Sequence, residues 1–320
     1  MNITQFPDNG LTAISLFAGC GGSSLGYKMA GYDVRLAVEW DAGAAAVYRR
    51  NLPDTPIYQG DIGDLSVSEA LTIAGLKPGE LDILDGSPPC QGFSTAGKRK
   101  FSDSRNQLFH EYVRMVEGLQ PRVFVMENVS GMIKGKMKLM FAEMTRALKA
   151  TGYSVSCRLL NAWWYGVPQD RRRLIWIGVR EDLAVMPGHP EPTIRQPISV
   201  KTALSNINIP AIYETHQPRV IDAWHRAQPG QSLRKGSPWV GSFQSCRLDP
   251  NGLSQTMIKA HRHWDWREPR YLTIEESKAL QGFPEWFDIR ENEYQYIGNS
   301  VCPPMAEAIG NHLFNLLVTG

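Results

Sequence analysis

Cysteine is scarce in this chain of 320 residues: Cys20, Cys90, Cys157, Cys246 and Cys302 lie far apart, with no Cys-x-x-Cys pair. An odd, scattered set supports neither a disulfide framework nor a zinc finger, and it fits a reducing cytoplasm. No uninterrupted apolar stretch approaches the roughly 20 residues a helix needs to cross a bilayer. The opening segment, MNITQFPDNGLTAISLF, has no basic region before its apolar run and is not read as a secretory signal. Histidine is sparse too, and the close pair His261 and His263 has no third ligand nearby, so no metal is expected. Repeats and low-complexity tracts are absent. Net charge is only +2, but residues 161–270 carry 15 Lys+Arg against 9 Asp+Glu, leaving the rest net acidic. Such asymmetry points either to a polyanionic partner or to a solvated basic surface.

Hydrophobic content of 42% with 21% charged residues is that of a globular protein long enough for one large domain or two. Apolar runs at 12–18, 34–39, 81–85, 122–126, 153–160 and 173–179 predict strands covered on both faces. Helical patterns at 22–30, 42–50, 66–75, 105–118 and 136–150 alternate with them. The expected fold is α/β, a doubly wound, mostly parallel, Rossmann-like sheet. After Val179 prolines recur and helical periodicity fades, which predicts a second, smaller, irregular and strand-rich domain over 181–284. Residues 1–180 and 285–320 would form the first domain, with a closing helix from Pro303 to Leu317.

Four elements carry chemistry. The strand at 81–85 leads into Ser87-Pro88-Pro89-Cys90-Gln91, where two prolines stiffen the backbone just before a lone thiol. Open α/β sheets place their chemistry at such strand ends, although an isolated cysteine is more often a small buried hydrophobe. Phe17-Ala18-Gly19-Cys20-Gly21-Gly22 follows the first strand and opens a helix, as a nucleotide-type cofactor loop does. Glu39 ends the second strand, where a carboxylate can hold ribose hydroxyls. Beside it, Trp40 is either an adenine-stacking ring or a core aromatic. Asp61, next to Ile62, either accepts from an adenine amino group or caps a turn. Glu127 closes the strand at 122–126 in an apolar setting, where desolvation would raise its pKa toward the range of a proton donor. Finally, Gln169, Arg171 and Arg173 alternate into the next strand, so the two arginines would converge on one face. A solvated charge run is the plainer reading of that segment.

In this order the elements resemble the DNA cytosine-5 methyltransferase family, of bacterial restriction-modification or orphan type. The resemblance continues through Arg270-x-Leu272-Thr273, Leu280-Gln-Gly-Phe-Pro284 and Ile297-Gly-Asn-Ser-Val301. It omits only residues 181 to about 250, where the family has its target-recognition region. Ser87-Pro-Pro replaces the Gly-Phe-Pro or Gly-Pro-Pro of many relatives. The resemblance implies site-specific transfer of a methyl group from S-adenosyl-L-methionine to carbon 5 of a flipped cytosine in duplex DNA, releasing S-adenosyl-L-homocysteine. Cys90 would attack carbon 6, Glu127 would bond ring nitrogen 3, Arg173 would contact the cytosine carbonyl, and Arg171 would organise the site. Phe17, Ala18, Gly19, Gly21, Gly22, Glu39, Trp40, Asp61, Ile62, Pro89, Asn299 and Val301 would line the cofactor pocket. Gln91, Ser94, Lys98, Arg99, Lys100 and Arg105 would bind DNA: Gly92 to Lys100 resembles the mobile loop that closes over the base, and Arg105 matches an arginine that follows this loop and helps anchor it. Arg234, Lys235, Trp239, Gln244 and Arg247 are candidates for reaching DNA, with structural roles as the alternative. The implied partners are duplex DNA and a cognate restriction endonuclease acting on the same site. The implied state is a monomer, cytoplasmic and nucleoid-associated when acting on DNA. The same chemistry on structured RNA, an NAD oxidoreductase and a silent DNA-binding module are the competing readings.

Overall fold

The computed structural model describes residues 6–89, 107–135, 137–208, 216–236, 245–260 and 262–319. Cys90, Gln91, Ser94, Lys98, Arg99, Lys100, Arg105, Trp239, Gln244 and His261 lie outside them. No helix among the described residues is long and apolar enough to cross a membrane. The chain divides into two units, one of residues 1–160, 172–191 and 306–320, the other of residues 161–171 and 192–305.

The first unit is built on a seven-stranded sheet ordered β3-β2-β1-β4-β5-β8-β6. Its strands are β1 (Thr12–Leu16), β2 (Asp33–Glu39), β3 (Ile57–Gln59), β4 (Ile83–Gly86), β5 (Val123–Val129), β6 (Tyr153–Asn161) and β8 (Arg172–Arg180). The pairs from β3 through β5 are parallel, and β8 runs antiparallel to β5. Helices α1 (Gly22–Met29), α2 (Ala42–Asn51), α3 (Val67–Ala74), α4 (Gln107–Leu119) and α5 (Met137–Lys149) fall between strands, as the alternating pattern predicts. Apolar residues at helical spacing explain the packing. Phe109, Tyr112, Met115, Val116 and Leu119 line one face of α4, and Met140, Met144 and Leu148 one face of α5. These residues close over Leu16, Leu84, Phe124 and Trp176 in one core cluster. Each fully buried side chain of this size stabilises the fold by roughly 1.5–3 kcal/mol. The last helix, α11 (Pro303–Thr319), returns to this unit: Tyr32 donates to the Gly310 carbonyl and Arg122 to that of Leu317.

Because β1 pairs with β2 on one side and β4 on the other, the strand order reverses between β1 and β4. Open α/β sheets bind ligands at the carboxyl ends of such a switch. Here those ends lead into the Phe17–Gly22 loop and the Ser87-Pro88-Pro89 turn.

The second unit is irregular, as expected, but among its described residues it is not strand-rich. It has two-residue strands β7 (Gln169–Asp170) and β9 (Ser254–Gln255), paired in parallel. Its helices are α6 (Val200–Ala203), α7 (Pro218–Arg226), α8 (Leu233–Gly236), α9 (Ile274–Gln281) and α10 (Tyr294–Asn299). Side-chain hydrogen bonds replace long ladders. Arg270 bonds Asp265 and Glu276, Arg267 bonds the same two carboxylates, and Thr273 with Glu276 forms a capping box on α9. The observed division departs from the expected boundaries at 180 and 285. Residues 161–171 leave the first unit because Gln169 bonds the Leu280 carbonyl and Gln281. Residues 285–305 join them because Arg171 binds the Gly298 and Ser300 carbonyls. Contacts this distant in sequence leave no trace in composition.

Candidate active site

At the end of β1 the backbone bends sharply. Phe17 has φ of +56°, Gly19 +56° and Gly21 +101°. A non-glycine residue at positive φ is uncommon, and such strain persists where the surroundings enforce it. Here the Ala18 N–H donates to Val38 O and the Gly21 N–H to Ala18 O, both at 3.0 Å. Gly21 then caps α1 without a side-chain acceptor, and the first turn of that helix holds no acidic residue. The amides from Gly22 onward therefore offer partial positive charge to an anionic ligand. Ala18 and Gly22 are buried beneath this bend.

Glu39 closes β2 beside the loop. One carboxylate oxygen accepts the Gly19 N–H at 2.7 Å and the other accepts the Asp41 N–H at 2.9 Å. Burial raises its pKa, and those backbone bonds oppose the rise. Trp40 is 77% exposed, which removes the core-aromatic reading and leaves a flat apolar face open at a strand end. Asp61 is exposed, with Oδ1 accepting the Gly63 N–H at 2.9 Å, the turn-capping geometry. The Ile62 side chain is buried in the core cluster, so only its backbone can face a ligand. Arg114, which the sequence reading passed over, holds this turn by donating to the Ile62 and Leu65 carbonyls.

β4 and β5 end side by side, Gly86 opposite Met126. Beyond them Asn128 is buried and donates to the Pro88 carbonyl at 3.1 Å, tying the β5 end to the turn that carries Pro89, itself exposed, toward position 90. Glu127 was expected in an apolar setting, but it has a charged partner. Arg173 on β8 approaches it at 2.6 Å, each side chain only slightly exposed. The antiparallel register, Val129 opposite Arg173, brings them together.

The two arginines expected to converge are divided. Arg171 is buried in the second unit, where its guanidinium donates to the Met257, Gly298 and Ser300 carbonyls. Gln169 accepts from the Met257 N–H, and Gln281 donates to the Ser300 carbonyl. A Cβ at Gly298 would lie 2.4 Å from the Ile258 carbonyl carbon, which explains glycine there. Asn299 is exposed and Val301 half-buried. Of the residues proposed to reach DNA, Lys235 is exposed and Arg234 half-buried. Arg247 is structural: its guanidinium lies 3.7 Å over the Trp224 ring and donates to the Ala227 and Trp266 carbonyls. His263 is fully buried, with Nδ1 accepting from Cys246 and Nε2 facing the Gln255 carbonyl, so both nitrogens are engaged.

A family profile described as C-5 cytosine-specific DNA methylase matches residues 11–315. The chain belongs to the C-5 cytosine-specific DNA methylase family. This methylase is 34% identical to the type II methyltransferase M.XorII of Xanthomonas oryzae pv. oryzae, over 95% of its own length and 84% of the relative's. It is 33% identical to the type II methyltransferase M1.HphI of Haemophilus parahaemolyticus, over 96% and 87%. A solved structure of a putative DNA modification methyltransferase encoded within an Escherichia coli prophage superposes with TM-score 0.78 at 28% identity, covering 97% of this chain and all of that one. The methylase is accordingly a DNA (cytosine-5-)-methyltransferase.

Proposed function

We propose that the enzyme transfers the methyl group of S-adenosyl-L-methionine to carbon 5 of a cytosine turned out of duplex DNA, through a covalent Cys90 adduct at carbon 6. The observation that carries this reading is the Glu127–Arg173 pair at the end of β5, beside the strand end that leads to Cys90. The loop after β1 suits the donor. The uncapped start of α1 favours its carboxylate, Glu39 can accept from ribose hydroxyls, and Trp40 offers a stacking face. When bound, the donor supplies an electrophilic methyl group.

Catalysis by this chain's own groups follows. The Cys90 thiolate adds to carbon 6, which makes carbon 5 nucleophilic. Glu127 holds or protonates ring nitrogen 3 and so stabilises the charge that develops on the ring. Arg173 orients Glu127 and can reach the cytosine carbonyl oxygen. Loss of the carbon-5 proton and expulsion of Cys90 restore the aromatic ring. Arg171 acts as a positioning residue within the second unit, which supplies target recognition. Lys98, Arg99 and Lys100 would contact phosphates, which position without specifying sequence. The type II relatives suggest a companion endonuclease that cuts the same site when it is unmethylated.

The test is transfer of a labelled methyl group to unmethylated duplex DNA, followed by bisulfite sequencing. Protected cytosines in one short context are expected, with Cys90→Ala inactive yet still binding donor and DNA. Transfer to bulk tRNA alone, or near-normal turnover by Cys90→Ala, would overturn this reading.

A further inference from the structure

Five acidic residues among those described are buried: Glu39, Asp82, Asp85, Asp265 and Glu276. Asp82 pairs with Arg122, and Asp265 and Glu276 pair with Arg267 and Arg270. Glu39 receives two backbone N–H groups. Asp85 differs. Its hydrogen-bond partners are hydroxyls, Ser15 Oγ and Tyr27 OH, each at 3.3 Å, with Ser23 Oγ next to Ser15 Oγ at the same distance. The ionisable groups facing it are Tyr27 on α1, Tyr48 on α2, Tyr112 on α4 and Glu127 on β5, and each of these can carry only negative charge. No cation pairs with it among the described residues.

Its position gives this chemistry a use. Asp85 lies opposite Ser15 across the β1–β4 switch point. Ser15 and Ser23 flank the Phe17–Gly22 loop in sequence, so the carboxyl is anchored at both ends of the loop. A buried carboxyl without a cation resists ionisation, and any positive charge brought near it favours the ionised form. Burial, aided by Glu127, pushes its pKa up to about 7, where both forms coexist near neutrality.

We propose that Asp85 is a charge-sensing specificity residue that favours the cationic methyl donor over its neutral thioether product. This rests on the donor-site reading above. Donor and product differ by one methyl group and by the fixed positive charge of the sulfonium. A donor held by the loop stabilises ionised Asp85 and releases its proton, whereas the product leaves the carboxyl protonated over more of the pH range. Ionised Asp85 therefore retains the donor in preference to the product.

The test is calorimetric binding of S-adenosylmethionine and S-adenosylhomocysteine between pH 6 and 8, to wild type and to Asp85→Asn. In wild type the donor's affinity relative to the product should rise by roughly three- to tenfold across this range, because one pKa unit of coupling is a factor of ten. In Asp85→Asn the rise should be absent. A flat ratio in wild type, or an equal rise in both proteins, overturns the proposal. If the variant does not fold, proton release by wild type near pH 6.5, measured in buffers of different ionisation enthalpy, decides. More protons must leave on binding donor than on binding product, and equal release sinks the idea. Failure of wild type to bind either compound would instead overturn the donor-site reading, and this proposal with it.

Discussion

Glu127 in the first unit and Glu276 in the second are both low-exposure glutamates held by arginine, yet their surroundings set them to different tasks. Glu276 is almost fully buried and receives bonds from Arg267, Arg270 and the Thr273 N–H. Its negative charge is consumed by the scaffold. Glu127 sits at a strand end with one guanidinium partner among the described residues, Arg173 at 2.6 Å, and remains slightly exposed. Its charge is held in place and still available to a ligand. The same contrast separates Arg171, whose donors are taken up by three carbonyls, from Arg173. Motif residues can therefore serve a chemistry or a frame, and only the number and kind of their partners distinguish the two.

Substitutions can break this comparison from either side. The largest expected effect is on transfer: Glu127→Gln should slow it by about 10²–10⁴-fold, the usual worth of a positioned acid or base. Urea unfolding should meanwhile shift by no more than about 1–2 kcal/mol, because Gln keeps the shape of the side chain and an oxygen that can accept from Arg173 at this slightly exposed position. Equal losses in stability and rate would place Glu127 with the scaffold instead. Arg270→Ala should show the opposite profile, a loss of about 3–5 kcal/mol in unfolding free energy, since it strands Asp265 and Glu276 without half their cations. An unchanged unfolding midpoint would refute the scaffold role.

Acidification probes the frame without mutation. Burial pushes the pKa of His263 down to about 4 from 6.5. Below pH 6.5 the unfolded chain takes up a proton that the native unit refuses until about pH 4. Stability should therefore fall across that window, by up to about 3 kcal/mol for this residue. His263→Gln should lose that share of the slope, and an unaltered profile in denaturant titrations at stepped pH would contradict it. The smallest effect expected is that of Trp40→Ala. Removing a stacking face costs about 1–3 kcal/mol, read as a weaker donor Kd with no change in unfolding, because the ring is exposed. Unchanged donor affinity would remove Trp40 from the site.

Much of the first unit was legible in the chain. Continuous apolar runs marked its long strands, the spacing of apolar residues marked its helices, and strand ends marked Glu39, Glu127 and the turn before Cys90. The second unit was legible only as irregular, because its order comes from Arg270, Arg267 and Arg171 bonding partners tens of residues away, which no local period encodes. Arg247 stood open between a DNA contact and a structural role for the same reason. A basic residue in a basic stretch suggests phosphate, while the Trp224 ring beneath it and the carbonyls around it make it structural.

By itself the sequence determined the alternation of strands and helices and the order of the chemical motifs, because side-chain periodicity and backbone restraint at proline and glycine are local properties. The tertiary structure decided which arginine meets Glu127, which residues leave the sheet to join the second unit, and that Asp85 is buried among hydroxyls with no cation paired to it among the described residues. Those outcomes depend on register, burial and charge pairing between distant segments. In the run Leu81 to Gly86, Asp85 reads as one more polar residue in a strand. It becomes singular only when β1, α1 and β5 close around it and bury it against hydroxyls, where among the described residues no cation pairs with it.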